Sequence, residues 1–309
     1  MKISTIIVTY NATRNNWIYK CLNSLRKSDL STDIIVVDNN STDETTDIIE
    51  KEYPEVTLVK NPENQGFGKA NNVGMEIALK NNSDYFFLLN QDAWVEPNTL
   101  YQLTQKAKEN PDYGIISPLH LNGIGDSLDY NFSLYISPQY CKNLYSDFAL
   151  DQLEDKVYES EFICAACWLL SKKSLETVGG FSPTFFHYSE DDNYVHRLLF
   201  KNMKIGVYPF SKIFHDRHQR GVSKFFEKKE HEQRKLILLY SNPLSNKNIN
   251  TDIKFYSRKL LKAKLTFNSS MMNFYKEKLN FLEKIRNEVL ENLEESKSNK
   301  KYIFLDYND

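Results

Sequence analysis

Three polar residues directly follow a strand-like apolar run in the first third of the chain. The run covers residues 85–89, and Asn90, Gln91 and Asp92 come next. A carboxylate at the carboxyl end of an internal strand lies where α/β sheets bind ligands. Mg²⁺ is usually held by one or two carboxylates, with substrate phosphates and water completing its shell. Asp92 is therefore a candidate metal ligand, although Asn and Asp also end strands simply because they favour turns.

A second acidic group lies further along the chain. Glu190, Asp191 and Asp192 precede a helical stretch at residues 194–200. Adjacent carboxyls in a partly dry cleft raise one another's pKa, which suits a general base. Acids in the first turn of a helix also interact favourably with its dipole, so a structural role fits the same pattern.

Alternating apolar runs and helical patterns must position these residues. Strands are predicted at residues 2–9, 34–37, 56–59 and 85–89, with helices at 15–27, 44–51 and 69–80 between them. Successive β-α units predict an α/β fold, with a mainly parallel sheet covered by helices on both faces.

The second predicted strand ends at Asp38. In dinucleotide-binding folds such an acid holds a ribose, but the first turn, residues 9–13, has no glycine, which argues against a dehydrogenase. Asp38 either accepts hydrogen bonds from a nucleoside or caps the turn into the next helix. The loop after the third strand contains Gly66 and Gly68, which allow close approach of the backbone to an anionic ligand.

Taken together, these motifs resemble the family 2 glycosyltransferases of the GT-A fold, which build bacterial surface polysaccharides, and within them the rhamnosyltransferase-like branch. The resemblance covers about residues 1–220. The matching segments are residues 8–11, 36–43, 64–68, 89–92, 179–181, 185–186, 190–191 and 197.

The resemblance implies inverting transfer from a UDP- or dTDP-linked sugar to a hydroxyl of a glycan or polyprenyl-linked acceptor. It implies Mg²⁺ or Mn²⁺ at Asp92 and His215, with Asp191 as general base and Glu190 beside it. The family's Asp-x-Asp metal motif begins here with Asn90, which removes one charge. The residues implied in nucleotide-sugar binding are Thr9, Tyr10, Asn11, Asp38, Asn64, Gly66, Gly68, Asn71 and Gln91.

Two arginines follow His215. Arg217 and Arg220 are candidates for neutralising the leaving diphosphate, whose charge grows as the glycosidic bond breaks. Without the resemblance, the segment from His215 to His218 reads as a polar surface loop.

Composition predicts a cytoplasmic protein. The hydrophobic share is 41% and the charged share 26%, as in soluble globular proteins. No apolar stretch approaches the length of a membrane span, and the first apolar run is too short for a signal peptide. The four cysteines do not predict a disulfide scaffold. Cys164 and Cys167 lie in an apolar stretch that favours a strand over a zinc half-site.

The tail is basic. Residues 222–309 carry 18 Lys and Arg against 12 Asp and Glu, whereas the rest of the chain is acidic. We therefore predict a catalytic domain at residues 1–220 and a helical, basic region at 221–309. Its helices are predicted at 224–240, 255–267 and 271–293, with a polar linker at 245–250. No nucleic-acid partner is expected.

Two contacts are open for the tail. The basic amphipathic stretch 255–267 suits an anionic membrane surface, which would bring the protein to the inner face of the cell membrane. An apolar stripe would pack on the catalytic domain or form a homodimer. The stripe consists of Leu282, Ile285, Val289 and Leu293.

Two other classes of protein use similar features. A nucleotidyltransferase also combines an α/β sheet with a carboxylate-bound metal, but the chain lacks the Gly-rich, basic first loop such an enzyme needs. A non-catalytic scaffold or glycan-binding protein would keep the fold without turnover. The joint presence of Asp38, Asp92 and Asp191 favours an enzyme.

Overall fold

The computed structural model describes residues 1–217 and 228–307. They fall into two compact units, the first within Met1–Ser223 together with Lys300–Asp309, and the second within Lys224–Asn299. The domain boundary that the sequence predicts, between residues 220 and 221, lies outside the described residues. Residues 300–307, which the prediction assigned to the tail, group with the first unit.

The first unit is built on one sheet. In the described part of the chain its strands are β1 (Ile3–Thr9), β2 (Asp33–Asp38), β3 (Thr57–Lys60), β4 (Tyr85–Asn90), β5 (Ala93–Val95), β6 (Tyr113–Asn122), β7 (Tyr158–Ser160), β8 (Cys167–Ser171) and β9 (Lys204–His215). Their order is β3-β2-β1-β4-β8-β6-β9-β5, and β7 pairs with β9 outside this path. β1 to β4 pair in parallel, whereas β8 runs antiparallel to β4 and β6.

Helices cover both faces of this sheet. They are α1 (Trp17–Arg26), α2 (Thr45–Glu52), α3 (Phe67–Lys80), α4 (Thr99–Glu109), α5 (Tyr130–Tyr135), α6 (Leu144–Ala149), α7 (Lys172–Val178) and α8 (Glu190–Phe200). Successive residues of a strand point to opposite faces. Ile6 accordingly joins a core with Met75 of α3 and Leu198 of α8, and Ile7 joins a second core with Leu22 of α1 and Leu103 of α4. The predicted α/β class is confirmed.

The late part of the sheet is more continuous than its sequence indicates. Residues 205–209 read as one strand and 210–214 as a separate stretch, but both belong to β9, which reaches His215. Pro209 does not end the strand; the register with β6 shifts between the pairs of Pro118 and Leu119, so an irregularity accommodates it. This extension is what brings His215 to the site.

The second unit consists of α9 (Lys228–Ser241), α10 (Ile249–Leu265) and α11 (Ser269–Lys297). α10 starts within the predicted linker because the Asn248 side chain caps it, accepting a 3.1 Å hydrogen bond from Thr251 N. Leu282, Ile285 and Val289 are buried in a cluster with residues of α9 and α10. Three of the four residues of the stripe thus pack within their own unit, and the homodimer stays a prediction. No helix in residues 1–217 or 228–307 could cross a membrane.

Candidate active site

The carboxyl ends of β1, β2 and β4 meet at one edge of the sheet. Thr9 is in register with Asp38, and Val8 with Asn90. The Thr9 hydroxyl donates a 2.8 Å hydrogen bond to Asp38 Oδ1. Gln91 reaches back to β1, since its Oε1 accepts from Tyr10 N at 2.7 Å and its Nε2 donates to Tyr10 O at 3.2 Å. The predicted edge therefore exists.

Asp38 organises the turns at this edge. Its carboxylate is only 2% exposed and also accepts from Ser41 Oγ at 2.5 Å and from Ser41 N at 2.8 Å. Asn11, with φ of 52°, accepts from Thr42 N at 2.8 Å through its side chain. Asp38 thus has the turn-capping role, and its contact with a nucleoside stays a prediction.

Asn39 holds the glycine loop in place. Its Nδ2 donates to Asn64 Oδ1 at 3.0 Å and to Gly66 O at 3.1 Å, while its Oδ1 accepts from Gln65 N at 3.0 Å. Gly66 has φ of +83°, and a Cβ there would lie 1.9 Å from Phe186 O. Only glycine therefore lets the loop meet the segment that precedes α8.

Gly68, in the first turn of α3, also lies close to α8. A Cβ on Gly68 would lie 2.9 Å from Phe181 Cβ and 3.6 Å from Glu190 Cβ. Asn71 is buried and donates to Phe67 O at 3.0 Å, so it braces the start of α3. The predicted phosphate loop and the predicted base helix are therefore neighbours.

Asp92 and His215 face each other in the interior. β9 runs antiparallel to β5 and pairs His215 with Ala93, the residue after Asp92. Asp92 Oδ1 lies 3.4 Å from His215 Nε2, and both side chains are fully buried. Arg217 Nε lies 3.2 Å from His215 Nδ1, 3.4 Å from His215 Nε2 and 3.5 Å from Asp129 Oδ2. The structure thus brings the two predicted ligands together beside a cation.

This pair fits a divalent ion that takes its other ligands from substrate. Mg²⁺ ligands lie at about 2.1 Å, so neighbouring ligands of one ion are about 3 Å apart, close to the separation observed. Among the residues the structure describes, no three His, Cys, Asp or Glu side chains converge to hold a metal alone. Diphosphate oxygens and water would have to complete the shell.

The acids of α8 follow an unusual turn. Tyr188 and Ser189 have φ of 64° and 72°, a region that residues other than glycine rarely adopt. Such backbone strain is concentrated at functional sites. Glu190, the first residue of α8, is only 5% exposed. The turn sets the direction in which the acidic run enters the helix.

The carboxyl of Asp191 is buried but surrounded by hydrogen-bond donors. Its Oδ1 accepts from Asp192 N at 2.9 Å, and the backbone amide of Ala165 also hydrogen-bonds to the carboxyl. Burial nevertheless raises the pKa of Asp191. Burial, together with the charge of Asp191, raises the pKa of Asp192 to about 7. Asp191 is the carboxyl whose ionised form has donors around it.

Arg217 lies between Asp92 and Asp191. Its Nη2 donates to Cys164 Sγ at 3.4 Å, next to Ala165 and hence to Asp191. The positive charge of Arg217 lowers the pKa of Asp191, and the negative charge of Asp92 in turn raises the pKa of Arg217. Arg220 lies outside the described residues. The apolar stretch with Cys164 therefore lines the site, and its cysteine is free and buried.

Asp129 was not evident from the sequence. It caps α5 by accepting from Phe132 N at 2.9 Å, and its Oδ2 lies 3.7 Å from His215 Nδ1. Its one local signal is that of an ordinary helix cap. The approach to His215 and Arg217 depends on contacts distant in sequence.

The order of strands and helices is that of the GT-A fold, and solved structures agree. The chain matches S. aureus TarS 1–349 in complex with UDP-GlcNAc (TM-score 0.56, 19% identity, 80% of this chain and 68% of that chain). It also matches GalNAc-T7 with UDP, GalNAc and Mn²⁺ (TM-score 0.58, 14% identity, 94% of this chain and 58% of that chain). These likenesses show the fold.

Sequence relatives give the family. The family model "Glycosyl transferase family 2" matches residues 4–179, more than half of the chain, and the chain belongs to that family. It is 32% identical over 114 residues to the putative glycosyltransferase EpsH of Bacillus subtilis (strain 168), covering 36% of this chain and 31% of EpsH. It is 23% identical over 206 residues to the low-salt glycan biosynthesis hexosyltransferase Agl10 of Haloferax volcanii, covering 66% of this chain and 64% of Agl10.

Proposed function

We propose that the protein is an inverting glycosyltransferase that moves a sugar from a nucleoside-diphosphate sugar to a hydroxyl of a glycan acceptor. One observation carries the proposal. Arg217 contacts His215 of the buried Asp92–His215 pair and also Cys164, beside the Asp191 carboxyl. A base, a cation and a metal-ligand pair thus form one connected site.

In the proposed reaction, the acceptor oxygen bonds to the anomeric carbon while the bond from that carbon to the diphosphate oxygen breaks. Asp191 takes the proton of the acceptor hydroxyl. Its raised pKa favours this transfer at neutral pH, and such a base contributes about 10²–10⁴-fold. Arg217 offsets the negative charge that develops on the leaving diphosphate.

Asp92 and His215 would hold Mg²⁺ or Mn²⁺ in this reaction. Bound there, the ion would neutralise the diphosphate as it leaves. The solved structure of GalNAc-T7, which shares this fold, is named as a complex with Mn²⁺. Asn90 keeps one charge out of the site, so the diphosphate itself must contribute to holding the ion.

The nucleoside is proposed to bind along the edge formed by Thr9, Asp38 and the loop from Asn64 to Asn71. TarS and GalNAc-T7 are both named as complexes with UDP or a UDP-sugar, which supports a uridine donor. A dTDP-linked donor, including a rhamnosyl one, follows from the sequence resemblance, whereas Agl10 is named as a hexosyltransferase. A glycan of a cell-surface polymer is the proposed acceptor.

A thermal-shift screen of UDP-, dTDP- and GDP-linked sugars, with and without Mn²⁺ or Mg²⁺, tests the donor site first. A ligand that binds only the folded state raises the apparent melting temperature. A metal-dependent shift with one nucleotide, followed by release of that nucleoside diphosphate on adding acceptor, supports the proposal. Binding without turnover on a broad panel of glycan acceptors would instead indicate a glycan-binding scaffold, and pyrophosphate release from a nucleoside triphosphate would indicate a nucleotidyltransferase.

We further propose that the turn between α10 and α11 contacts an anionic membrane that carries the polyprenyl-linked acceptor. Leu261, Leu265 and Phe267 are 59%, 72% and 91% exposed. Lys262 and Lys264 lie among them and are also exposed. Exposed apolar side chains interleaved with cations suit the boundary between lipid headgroups and acyl chains.

A further inference from the structure

A short segment near the end of the described chain packs on the rest of the first unit. We call Tyr302–Leu305 the C-terminal strap. Ile303 O accepts a 2.8 Å hydrogen bond from Gly180 N, and Phe304 O accepts one of 2.9 Å from Asn72 Nδ2. Backbone and side-chain groups of the catalytic unit thus hold the strap at specific positions, in addition to the burial of its apolar residues.

The receiving surface is shaped for this segment. A Cβ on Gly179, which has φ of +79°, would lie 2.1 Å from Ile303 O, and one on Gly180 would lie 2.5 Å from Leu305 Cδ2. Tyr302 and Ile303 are only 3% and 4% exposed. The two glycines therefore leave the space that the strap fills.

The strap contacts α8, the helix that carries Asp191, through Arg197. This α8 residue is fully buried and donates to Val178 O and, at 2.6 Å, to Gly180 O. Its guanidinium carbon lies 5.0 Å from the centroid of the Phe304 ring, within the range of a cation–π contact. Phe304 thus packs on the side chain that ties α8 to the end of α7.

The strap contacts α3, the helix that follows the glycine loop, through Asn72. The α3 side chain that donates to Phe304 O also donates to Phe181 O at 2.8 Å and accepts from Phe181 N at 2.7 Å. Phe181 lies directly against Gly68, and its ring is tilted by 48° to that of Tyr194 in α8, with centroids 5.2 Å apart. One asparagine therefore joins the strap, α3 and the segment before α8.

We propose that the C-terminal strap is a positioning element for the reaction. By contacting Asn72 on α3 and Arg197 on α8, it fixes the distance between the glycine loop, residues 64–68, and Asp191. Misplacing a reacting group by about 1 Å can cost about 10²-fold in rate. This inference rests on the proposed function, because it assigns the strap to the proton transfer at Asp191.

The test compares the full chain with a variant that ends at Lys301. We expect kcat for sugar transfer to fall by about 10²-fold with donor KM changed little, since the strap positions α8 rather than contacting donor. A synthetic peptide of residues 302–309 added in trans should restore kcat. The same peptide carrying Ile303→Ala and Phe304→Ala is the matched control and should not restore it.

A full-length variant covers the case in which the shortened chain does not fold. Ile303→Asp places a charge in the buried groove and should reproduce the loss of kcat, whereas Asp306→Ala, at an exposed position, should behave as wild type. Wild-type kcat in both Ile303→Asp and the shortened chain would overturn the proposal. So would equal losses of kcat and nucleotide affinity that the peptide cannot reverse, because these would indicate a role in stability alone.

Failure of the proposed function is recognisable separately. If the wild-type chain transfers no sugar, the donor assignment has failed. Binding of the fluorescently labelled peptide to the shortened chain, measured by anisotropy, still reports whether the strap docks. Absence of that binding, in a shortened chain that unfolds cooperatively, would overturn the docking itself.

Discussion

The backbone amide of Asp192 donates a 2.9 Å hydrogen bond to Oδ1 of Asp191, so the second of two adjacent acids stabilises the ionised form of the first. The same neighbour also adds a like charge once it ionises. This dual contact distinguishes the two carboxyls, and it is the reason we propose Asp191 rather than Asp192 as the base.

We expect Asp191→Asn to lower kcat by about 10²–10⁴-fold, because the amide cannot accept the acceptor's proton. Nucleotide binding, measured by calorimetry, should be unchanged. Asp192→Asn is the matched control and should keep most of the activity. Turnover of Asp191→Asn at the wild-type rate would remove Asp191 from the mechanism.

The pH profile should report both carboxyls. Burial raises the pKa of Asp191, so the base stays protonated, and inactive, to higher pH than an ordinary aspartate. The acid limb of kcat/KM should therefore lie at higher pH than that of an ordinary aspartate, and the ionisation of the adjacent Asp192, whose pKa is raised to about 7, should affect it. Asp192→Asn should move the limb to lower pH. An identical limb in both proteins would show that Asp192 does not titrate with the base.

Asp92→Ala should remove the metal-dependent part of the thermal shift given by the donor nucleotide. The shift measured with EDTA should stay as in the wild type, because the nucleoside edge is intact. His215→Gln should weaken the metal dependence in the same direction. Asp47→Ala, which changes an exposed acid of α2, is the control. An unchanged metal dependence in Asp92→Ala would place the ion elsewhere.

Gly66→Ala should destabilise the fold. The backbone there has φ of +83°, and a Cβ would collide with Phe186 O. Strain of this kind costs about 1–3 kcal/mol, measurable by urea denaturation. Lys69→Ala, at an exposed position in the first turn of α3, should change stability by less than about 0.5 kcal/mol. Equal stabilities would mean that the loop can move away from Phe186.

Leu265→Glu and Phe267→Glu should reduce co-sedimentation with vesicles rich in anionic lipid. Each replaces an exposed apolar side chain, at the last residue of α10 or in the turn that follows it, with a charge of the same sign as the lipid. Leu244→Glu is the control, since Leu244 is 49% exposed and lies outside this turn. Equal binding by all variants, or equal binding to neutral vesicles, would contradict the proposed surface.

Much of the sheet edge follows from local pattern. The apolar runs before Asp38 and Asp92 predict parallel strands, and parallel strands with short crossovers bring their carboxyl ends together. His215 could not be placed in this way. It reaches Asp92 because β9 continues to His215 and pairs antiparallel with β5, across more than 100 residues of chain. No periodic pattern in the sequence of β5 or β9 predicts that they pair.

Residue roles were harder to predict than residue positions. Gly179, Gly180 and Arg197 carry the resemblance to the family, yet no local property of these residues shows that they receive the strap. Tyr302 to Leu305 reads as a short apolar end to a basic tail. Its burial depends on a surface formed by residues more than 100 positions earlier.

Neighbouring positions in β1 should tolerate change differently. Ile6 packs on α3, the helix that follows the glycine loop. A Cβ on Gly74 of this helix would lie 2.4 Å from Ile6 Cγ2. Ile7 faces the opposite core, with α1 and α4. Among homologous chains, we therefore expect residue 7 to vary together with its neighbours in α1 and α4. Residue 6 should vary less, because a larger side chain would press on the backbone at Gly74 and shift α3.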